Sequence, residues 1–440
     1  MAEFVIKGGY PLKGEVEVGG AKNMVLPALV AGLLSDEEVK LENVPLISDL
    51  ALMVKIAQKL GVEVKINDNH TLTIKAATLK RHKIPLEAAA KLRTSFMLIV
   101  PILARLGKAE IPNPGGCRIG ARPINRLVDG LRHLGGKITY NSNDGYFHAS
   151  LKKFTGSTFK FAKNTHTGTE TLILAAVKAS GRTILENAAA EPEVDDLIRL
   201  LNQMGAKIKR VKPRTIVIEG VKKLNGTSFK IMSDRNEAVT FAVAALATGG
   251  DIFIKGTQRE YLRAFLEKLD EAGGGWDPSA DGTRFFYQKQ LKATDITTSP
   301  HPGFMTDWQA PWALLMTQAK GESTIHETVY ENRFQYVSEL VKMGAKISLF
   351  NPKVKNKELF YNFNLEDDRK EYYHAAKISG PTCLHNAVLA IPDLRAGATL
   401  VLAALAAKGE SYLSGIEHID RGYEKFEERL KKIGAKICKQ

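Results

Sequence analysis

Short stretches built around a glycine recur along the chain and mark a repeated unit. They read LGVEV at 60–64, LGGKI at 134–138, MGAKI at 204–208, AGGGW at 272–276, MGAKI at 343–347 and IGAKI at 433–437. Before five of the six glycines, apolar residues recur at helical spacing, as in Met53, Ile56 and Leu60, and an alternating strand pattern follows. Each glycine is therefore predicted to end a helix in the left-handed conformation. The period of about 70 residues indicates one supersecondary unit used six times.

A second type of helix precedes these amphipathic ones and is apolar all round. Examples are ETLILAAVKASG at 170–181, which runs into the strand TILENA at 183–188, and TLVLAALAAKG at 399–409. A helix without a polar face must be buried on every side. The pattern predicts an α/β fold of β-α-β-α units whose apolar helices are covered by sheets, in two domains of three units. The last interval is longer, and residues from about 350 to 394 are predicted to carry an insertion.

Length and charge narrow the class of protein. With 440 residues the chain is too long for one core, and its net charge of +14 favours anionic partners. The lysines and arginines are dispersed, without a run of five, so phosphorylated metabolites fit better than nucleic acid. The first residues lack a signal-peptide pattern, and no apolar stretch is long enough to span a bilayer. The three cysteines form no disulfide framework, so we expect a cytoplasmic protein without a membrane partner.

One cysteine lies in the glycine-rich stretch NPGGCRIGARP at 113–123. Guanidinium groups one and five residues after Cys117 would favour its thiolate, and the glycines would let the loop move. The same position also suits an incidental cysteine in a tight turn. The residues alone leave both interpretations open.

An aspartate follows a glycine- and proline-containing stretch in HPGFMTDWQAP at 301–311. Asp307 is either a general base on a loop or the N-cap of the helix that follows. The ten histidines include no HExxH motif, and no Cys/His cluster has ligand spacing. We expect neither a metal nor a cofactor.

Ten ordered motifs carry a family resemblance: GGAKNMVLPAL (19–29), LENVPLISDL (41–50), KLRTSF (91–96), PGGCRIGARP (114–123), ENAAAEPEVDDL (186–197), DRNEAVTF (234–241), HPGFMTDWQAP (301–311), ETVYENRF (327–334), DLRAGATLVLAAL (393–405) and HIDRGYE (418–424). With these motifs the chain resembles the enolpyruvyl transferases, most closely the branch that acts on UDP-N-acetylglucosamine. The sister branch that acts on shikimate phosphate carries DKS and NSGTT signatures, which are missing here.

The resemblance implies two inside-out α/β barrel domains of three units each. Their expected boundaries are 22–233, with the Cys117 lid loop, and 1–21 plus 234–440. The cleft between such domains is the expected ligand site. The implied reaction transfers enolpyruvyl from phosphoenolpyruvate to the 3′-hydroxyl of UDP-N-acetylglucosamine and releases phosphate, through a tetrahedral intermediate. This is the first committed step of peptidoglycan synthesis.

The resemblance also implies site residues. Cys117 would be the general acid, and Asp307 the base. The expected phosphoenolpyruvate contacts are Lys22, Asn23, Arg122 and Arg395. The expected sugar-nucleotide contacts are Arg93, Arg122, Pro123, Ile124, Asn125, Arg126, Lys163, Asn164, Thr165, His166, Asp307 and Val329.

Some positions depart from the family pattern or carry weaker expectations. Asn125 replaces an acid, Arg126 replaces an apolar residue, and THTGTE at 165–170 replaces the commoner SVGATE. Asp49 and Glu191 are expected to position Lys22 or substrate. Arg235, Arg333 and Arg421 are expected to form structural ion pairs between repeats. Cys383 and Cys438 are expected to lie outside the chemistry.

Two alternatives stay open. One is 3-phosphoshikimate 1-carboxyvinyl transfer, which uses the same fold. The other is a non-catalytic relative that binds polyanions through its basic surface. Retention of Lys22, Cys117, Asp307 and Arg395 together argues against the second alternative, because an idle copy has no reason to keep all four.

Overall fold

The computed structural model describes residues 3–115, 120–121 and 123–440. These residues form two compact units. The N-terminal unit comprises residues 20–115 and 123–232, and the C-terminal unit comprises residues 3–19, 120–121 and 233–440. Gly120 and Ala121, expected in the first domain, thus group with the C-terminal unit, where the Ala121 N–H donates to a Glu331 carboxylate oxygen.

The strands, in chain order, are β1 (Glu3–Gly8), β2 (Lys13–Glu17), β3 (Val39–Glu42), β4 (Glu63–Asn67), β5 (Thr71–Lys75), β6 (Lys108–Pro112), β7 (Lys137–Asn141), β8 (Tyr146–Ser150), β9 (Thr158–Lys160), β10 (Arg182–Glu186), β11 (Lys207–Lys212), β12 (Thr215–Glu219), β13 (Thr227–Lys230), β14 (Asp251–Lys255), β15 (Gly275–Pro278), β16 (Gly282–Phe286), β17 (Ile296–Thr297), β18 (Gly321–His326), β19 (Lys346–Phe350), β20 (Ala375–Gly380), β21 (Val388–Ala390), β22 (Gly409–Ser414) and β23 (Lys436–Lys439).

The helices are α1 (Lys22–Gly32), α2 (Ser48–Lys59), α3 (Leu86–Ala89), α4 (Ile99–Leu106), α5 (Asn125–His133), α6 (His166–Ala176), α7 (Pro192–Gln203), α8 (Arg235–Ala247), α9 (Arg263–Ala272), α10 (Gln309–Thr317), α11 (Val337–Lys342), α12 (Lys357–Phe360), α13 (Leu394–Ala406) and α14 (Phe426–Lys432). Single 3-10 turns at Arg93–Leu98 and Thr306–Trp308 lead into α4 and α10.

The N-terminal unit contains three sheets, with strand orders β13-β3-β5-β4, β6-β8-β7 and β11-β12-β10-β9. Within the last, β10 runs parallel to β9 and antiparallel to β12, with Leu185 opposite Phe159 and Ile216. The apolar helices α1 and α6 are buried along almost their whole length, whereas α2, α5 and α7 bury one face. The apolar helices therefore lie inside and the sheets outside, as the pattern predicted.

The C-terminal unit repeats this plan with the sheets β15-β16-β14-β2, β17-β18-β20-β19 and β21-β22-β1-β23. Its core helices α8, α10 and α13 are buried almost throughout and pack against one another. The first strand, β1, lies between β22 and β23 and is antiparallel to both, with Ile6 opposite Ser411 and Ile437. The beginning and end of the chain therefore share one sheet.

The repeat glycines end their helices as predicted. Their φ angles lie between +77° and +99°, a region that costs a side-chain-bearing residue free energy. The six are Gly61, Gly135, Gly205, Gly273, Gly344 and Gly434.

The added segment lies within the interval that was predicted to carry an insertion. The interval 350–394 includes β20 and β21, which are sheet strands of their units. The added segment is 351–374, between β19 and β20, and it contains α12. No helix among the described residues has the length and apolar character needed to cross a membrane.

Candidate active site

Asp307 lies in the C-terminal unit, in the middle of the 3-10 turn that leads into α10. Trp308 is the N-cap of α10 and makes no side-chain cap bond, so the interpretation of Asp307 as that cap is wrong. The Asp307 side chain is 22% exposed, which leaves its carboxylate partly accessible. The turn therefore presents the carboxylate at the surface of an otherwise buried helix start.

Two buried arginines hold this carboxylate. Arg333 Nη2 donates to Asp307 Oδ1 over 3.0 Å, and Arg395 Nε donates to Oδ2 over 3.3 Å. The arginine side chains are only 6% and 5% exposed. Two guanidinium groups at one carboxylate fix the direction of both oxygens.

Arg395 is positioned by the start of α13. The Asp393 carboxylate caps this helix by accepting the N–H groups of Arg395 and Ala396 over 2.9 and 3.2 Å. The guanidinium also donates from Nη1 to Tyr423 Oη over 3.0 Å, and that hydroxyl shares a 2.7 Å hydrogen bond with Thr240. Burial opposes the charge of Arg395, but Tyr423 and Asp307 outweigh it and raise the pKa of the group. Arg395 is thus a permanent cation.

Arg333 was expected to form a structural ion pair, and it does link two repeats. Its partners are Asp307 and, at 3.9 Å, Asp393 Oδ1. Burial lowers the pKa of Arg333, but Asp393 and Asp307 outweigh burial and raise it. Arg333 therefore also fixes Asp307, the proposed base. The motif ETVYENRF contains Arg333 but does not indicate that Asp307 is its partner.

Arg235 lies at the first position of α8 with a different set of neighbours. Its Nη1 lies 3.2 Å from His301 Nδ1, and its guanidinium lies 5.7 Å from the centre of the Trp308 ring. These contacts join α8 to the 3-10 turn that carries Asp307, through an imidazole and an aromatic face.

In the N-terminal unit, Lys22 is the first residue of α1 and Asn23 follows it. The Lys22 ammonium forms a hydrogen-bonded ion pair with Asp49, in the first turn of α2. Both side chains are largely buried. This direct contact supports the expectation that Asp49 positions Lys22.

Three segments expected to contact the sugar nucleotide lie close together in the N-terminal unit. Arg93 Nη2 donates to the Pro123 carbonyl over 3.2 Å, and Arg126 Nη1 donates to the Asn164 carbonyl over 3.3 Å. Ile124 is the N-cap of α5, so Asn125 and Arg126 begin that helix. The structure thus joins Arg93, 123–126 and 163–166 into one group.

The start of α6 carries the last of these residues. The Thr165 hydroxyl caps the helix by accepting the Gly168 N–H over 3.2 Å. His166 Nε2 lies 3.1 Å from the buried Glu170 carboxylate, with Glu191 and Glu193 also acting on it. Burial opposes the imidazolium, but these carboxylates outweigh it and raise the pKa of His166 to about 10. His166 is therefore a cation at neutral pH.

Cys117 and Arg122 lie outside the described residues. Cys383 and Cys438 are both exposed, Cys438 on the edge strand β23 and Cys383 in the loop after β20. Within the described ranges, no group of three His, Cys, Asp or Glu side chains is arranged to hold a metal ion.

Comparison with known proteins identifies the family. A model of the family described as EPSP synthase (3-phosphoshikimate 1-carboxyvinyltransferase) matches residues 6–430. The chain is 43% identical over 438 residues to a UDP-N-acetylglucosamine 1-carboxyvinyltransferase of Magnetococcus marinus, and the match covers 99% of both chains. The chain belongs to the EPSP synthase family of enolpyruvyl transferases. The resemblance carried by the ten motifs is thereby confirmed.

Further matches include a second relative of high sequence identity and two solved structures that share the fold at low sequence identity. UDP-N-acetylglucosamine 1-carboxyvinyltransferase 1 of Caldanaerobacter subterraneus is also 43% identical, over 100% of this chain and 99% of its own. The enolpyruvyl transferase NikO of Streptomyces tendae superimposes with a TM-score of 0.87 at 24% identity, covering 100% of this chain and 99% of its own. EPSP synthase of Acinetobacter baumannii superimposes with a TM-score of 0.74 at 17% identity over 100% of both chains. These structures confirm the two-domain α/β fold.

Proposed function

We propose that this enolpyruvyl transferase transfers the enolpyruvyl group of phosphoenolpyruvate to the 3′-hydroxyl of UDP-N-acetylglucosamine and releases phosphate. The observation that carries the proposal is the Asp307 carboxylate, which two buried arginines hold at the start of α10. The two relatives of 43% identity described above are named as UDP-N-acetylglucosamine 1-carboxyvinyltransferases, and they match almost the whole chain. In this proposal the protein catalyses the first committed step of peptidoglycan synthesis, and its cytoplasmic location stays a prediction.

Asp307 would take the proton of the sugar hydroxyl. A carboxylate that two cations hold is a weak base, because each guanidinium stabilises its charged form. Arg395 is also a proposed partner of the phosphoenolpyruvate anion. Substrate anions that compete for this guanidinium would withdraw it from Asp307 Oδ2 and strengthen the base at the moment when both substrates are bound.

Cations would hold the phosphoenolpyruvate carboxylate and phosphate. Arg395 offers a planar fork that pairs with either group through two hydrogen bonds, whereas Lys22 offers a point charge fixed by Asp49. Asn23 would assist Lys22, and Arg122 would complete this set. Cys117 would protonate the methylene carbon, so that an acid and a base act in one addition–elimination sequence.

The sugar nucleotide would bind the N-terminal group of Arg93, 123–126 and 163–166, with Val329 and Asp307 contributing from the C-terminal unit. The observation that supports this is the pair of arginine–carbonyl bonds that join the three segments. His166 and Arg126 place positive charge where the diphosphate would lie. The proposed domains have the expected boundaries, 22–233 and 1–21 plus 234–440, except that Gly120 and Ala121 belong to the second domain.

Phosphate release tests the proposal. Wild-type protein is given phosphoenolpyruvate alone, with UDP-N-acetylglucosamine, or with shikimate 3-phosphate. We expect release only with UDP-N-acetylglucosamine. Release with shikimate 3-phosphate instead would assign the chain to the sister reaction. No release with either acceptor, together with salt-dependent binding of DNA, would support the non-catalytic alternative.

A further inference from the structure

Glu327 is a fully buried carboxylate outside the set of proposed substrate contacts. It follows β18 directly and lies between the turn of Asp307 and the loop of Val329. We propose that Glu327 is a positioning residue that sets both segments in one geometry; this inference rests on the proposed function.

Three donors converge on the two oxygens of this carboxylate. Oε2 accepts the Thr306 hydroxyl over 2.9 Å, and Oε1 accepts the N–H groups of Val329 and Tyr330 over 2.7 and 3.1 Å. Thr306 immediately precedes Asp307 in the same 3-10 turn. One side chain thus joins the residue before the proposed base to the backbone that presents Val329.

The loop is also fixed from its other side. The Glu327 N–H donates to the His374 carbonyl over 2.8 Å. Thr328 donates its N–H to the Thr298 hydroxyl and its own hydroxyl to the Thr298 carbonyl, over 2.8 and 2.6 Å. Hydrogen bonds within the protein therefore fix the position of Glu327, as a support for a precise site requires.

Burying the charged Glu327 carboxylate costs free energy, and this cost argues for a function. Burial raises the pKa of Glu327, and the bonds from Val329 and Thr306 together with the charge of Arg333 oppose that shift. A buried acid without a direct ion pair is costly unless its acceptor sites are used. Here the sites are used to hold two segments that belong to different parts of the chain.

The roles of Glu327 and the arginines differ. Arg333 and Arg395 fix the oxygens of Asp307, whereas Glu327 fixes the turn from which Asp307 projects. A base displaced by about 1 Å can lose on the order of a hundredfold in rate, although every reacting group is still present. Glu327 therefore controls where the base lies, without taking the proton itself.

Two substitutions at Glu327 separate positioning from chemistry. Glu327→Gln keeps one acceptor oxygen for the two N–H groups and turns its amide toward the Thr306 hydroxyl, which can accept instead. We expect its kcat to stay within about threefold of wild type, because the geometry is kept. Glu327→Ala removes all three bonds, and we expect kcat to fall about tenfold to a hundredfold while the KM for UDP-N-acetylglucosamine rises.

Thr306→Val removes only the bond on the Asp307 side and leaves the Val329 loop anchored. We expect kcat to fall with little change in the KM for UDP-N-acetylglucosamine. Thr283→Val is the matched control, because Thr283 is also a buried threonine of the C-terminal unit, in β16, and its hydroxyl has no hydrogen-bond partner among the described residues. Thermal unfolding of each variant verifies that the fold is kept.

The outcomes are distinguishable. Wild-type protein without phosphate release in the presence of UDP-N-acetylglucosamine would contradict the proposed function, and the inference would fall with it. Active wild type combined with an unchanged kcat in Thr306→Val and Glu327→Ala would overturn the positioning role alone. Loss of turnover in Glu327→Gln would also overturn it, since that result would make Glu327 a proton-transfer group.

Discussion

The two units hold buried charge in opposite arrangements. In the C-terminal unit one carboxylate, Asp307, lies between the guanidiniums of Arg333 and Arg395. In the N-terminal unit one imidazole, His166, is surrounded by the carboxylates of Glu170, Glu191 and Glu193. The same fold therefore supports a carboxylate held between two cations and a histidine kept protonated by acids.

The difference decides which group can exchange a proton. Asp307 is partly accessible, and as the proposed base it would accept a proton once a guanidinium is withdrawn. His166 already carries its proton at neutral pH, because its pKa is about 10. It can therefore attract an anion but cannot serve as a general base. Four substitutions test the two arrangements and the binding residues proposed around them.

Asp307→Asn should have the largest effect. The amide occupies similar space but cannot accept the hydroxyl proton, so we expect kcat to fall by about a hundredfold to ten-thousandfold. Binding of UDP-N-acetylglucosamine, measured by calorimetry, should persist. Asp277→Asn, at an exposed aspartate of β15, is the control. Turnover near that of wild type would show that the two arginines hold Asp307 for stability alone.

Arg395→Lys should have the next largest effect. Lysine keeps the charge but cannot bond Asp307, Tyr423 and a substrate anion at once. Loss of charged hydrogen bonds of this kind predicts a fall in kcat/KM for phosphoenolpyruvate of about tenfold to a hundredfold. Arg284→Lys, in a surface ion pair with Asp251, should match wild type. Equal kcat/KM values for the two variants would remove Arg395 from the proposed anion site.

His166→Gln tests the N-terminal arrangement through stability. The folded pKa of His166 is raised from 6.5 to about 10, so its stabilising contribution is complete below pH 6.5 and is lost as pH rises through 10. The side chain is 23% exposed, which limits the contribution to about 2 kcal/mol.

Urea unfolding of wild type should show a free energy of unfolding that falls between pH 6.5 and 10. The His166→Gln variant should be less stable at pH 6.5 and should lack this slope. His148→Gln provides the control, because His148 pairs with Asp144 at the surface. Parallel pH profiles for wild type and His166→Gln would mean that the carboxylates do not hold a proton on His166.

Asn125→Asp should have the smallest effect. It restores the acid common in the family at an exposed position in the first turn of α5. A carboxylate there interacts favourably with the helix dipole, by about 0.5 kcal/mol. We expect a slight rise in thermal stability and a change in the KM for UDP-N-acetylglucosamine of under about threefold. A larger change in KM would show that the side chain of residue 125, and not only its backbone, contributes to nucleotide binding.

Much of the fold could be predicted because its signals are local. Gly434 adopts a φ of +98° one residue after the helical pattern ends, and Leu394–Ala406 is a helix apolar on every side. Local pattern did not reveal β20. Its pairing with β18 joins residues that are 49 (His326 and Ala375) to 59 (Gly321 and Gly380) positions apart, and no short window contains that information.

The sequence predicted which residues belong to the candidate site, but it did not predict which of them form ion pairs or hydrogen bonds with one another. Motifs pointed to Asp307 and Arg395, yet the ion pair that joins them spans 88 positions. Arg333 was expected to be structural because its sequence neighbours gave no sign of Asp307. The Thr306–Glu327 bond was missed for the same reason, since each residue is an ordinary member of its own motif.

The position of β1 between β22 and β23 has a consequence for biosynthesis. The first strand leaves the ribosome long before its two neighbours, β22 and β23, are made. At about 5 to 20 residues per second, the interval between them is roughly 20 to 90 seconds. The N-terminal unit needs only residues up to 232 and can fold during that time. The half of the protein that carries Asp307 is therefore completed only after β23 has been made.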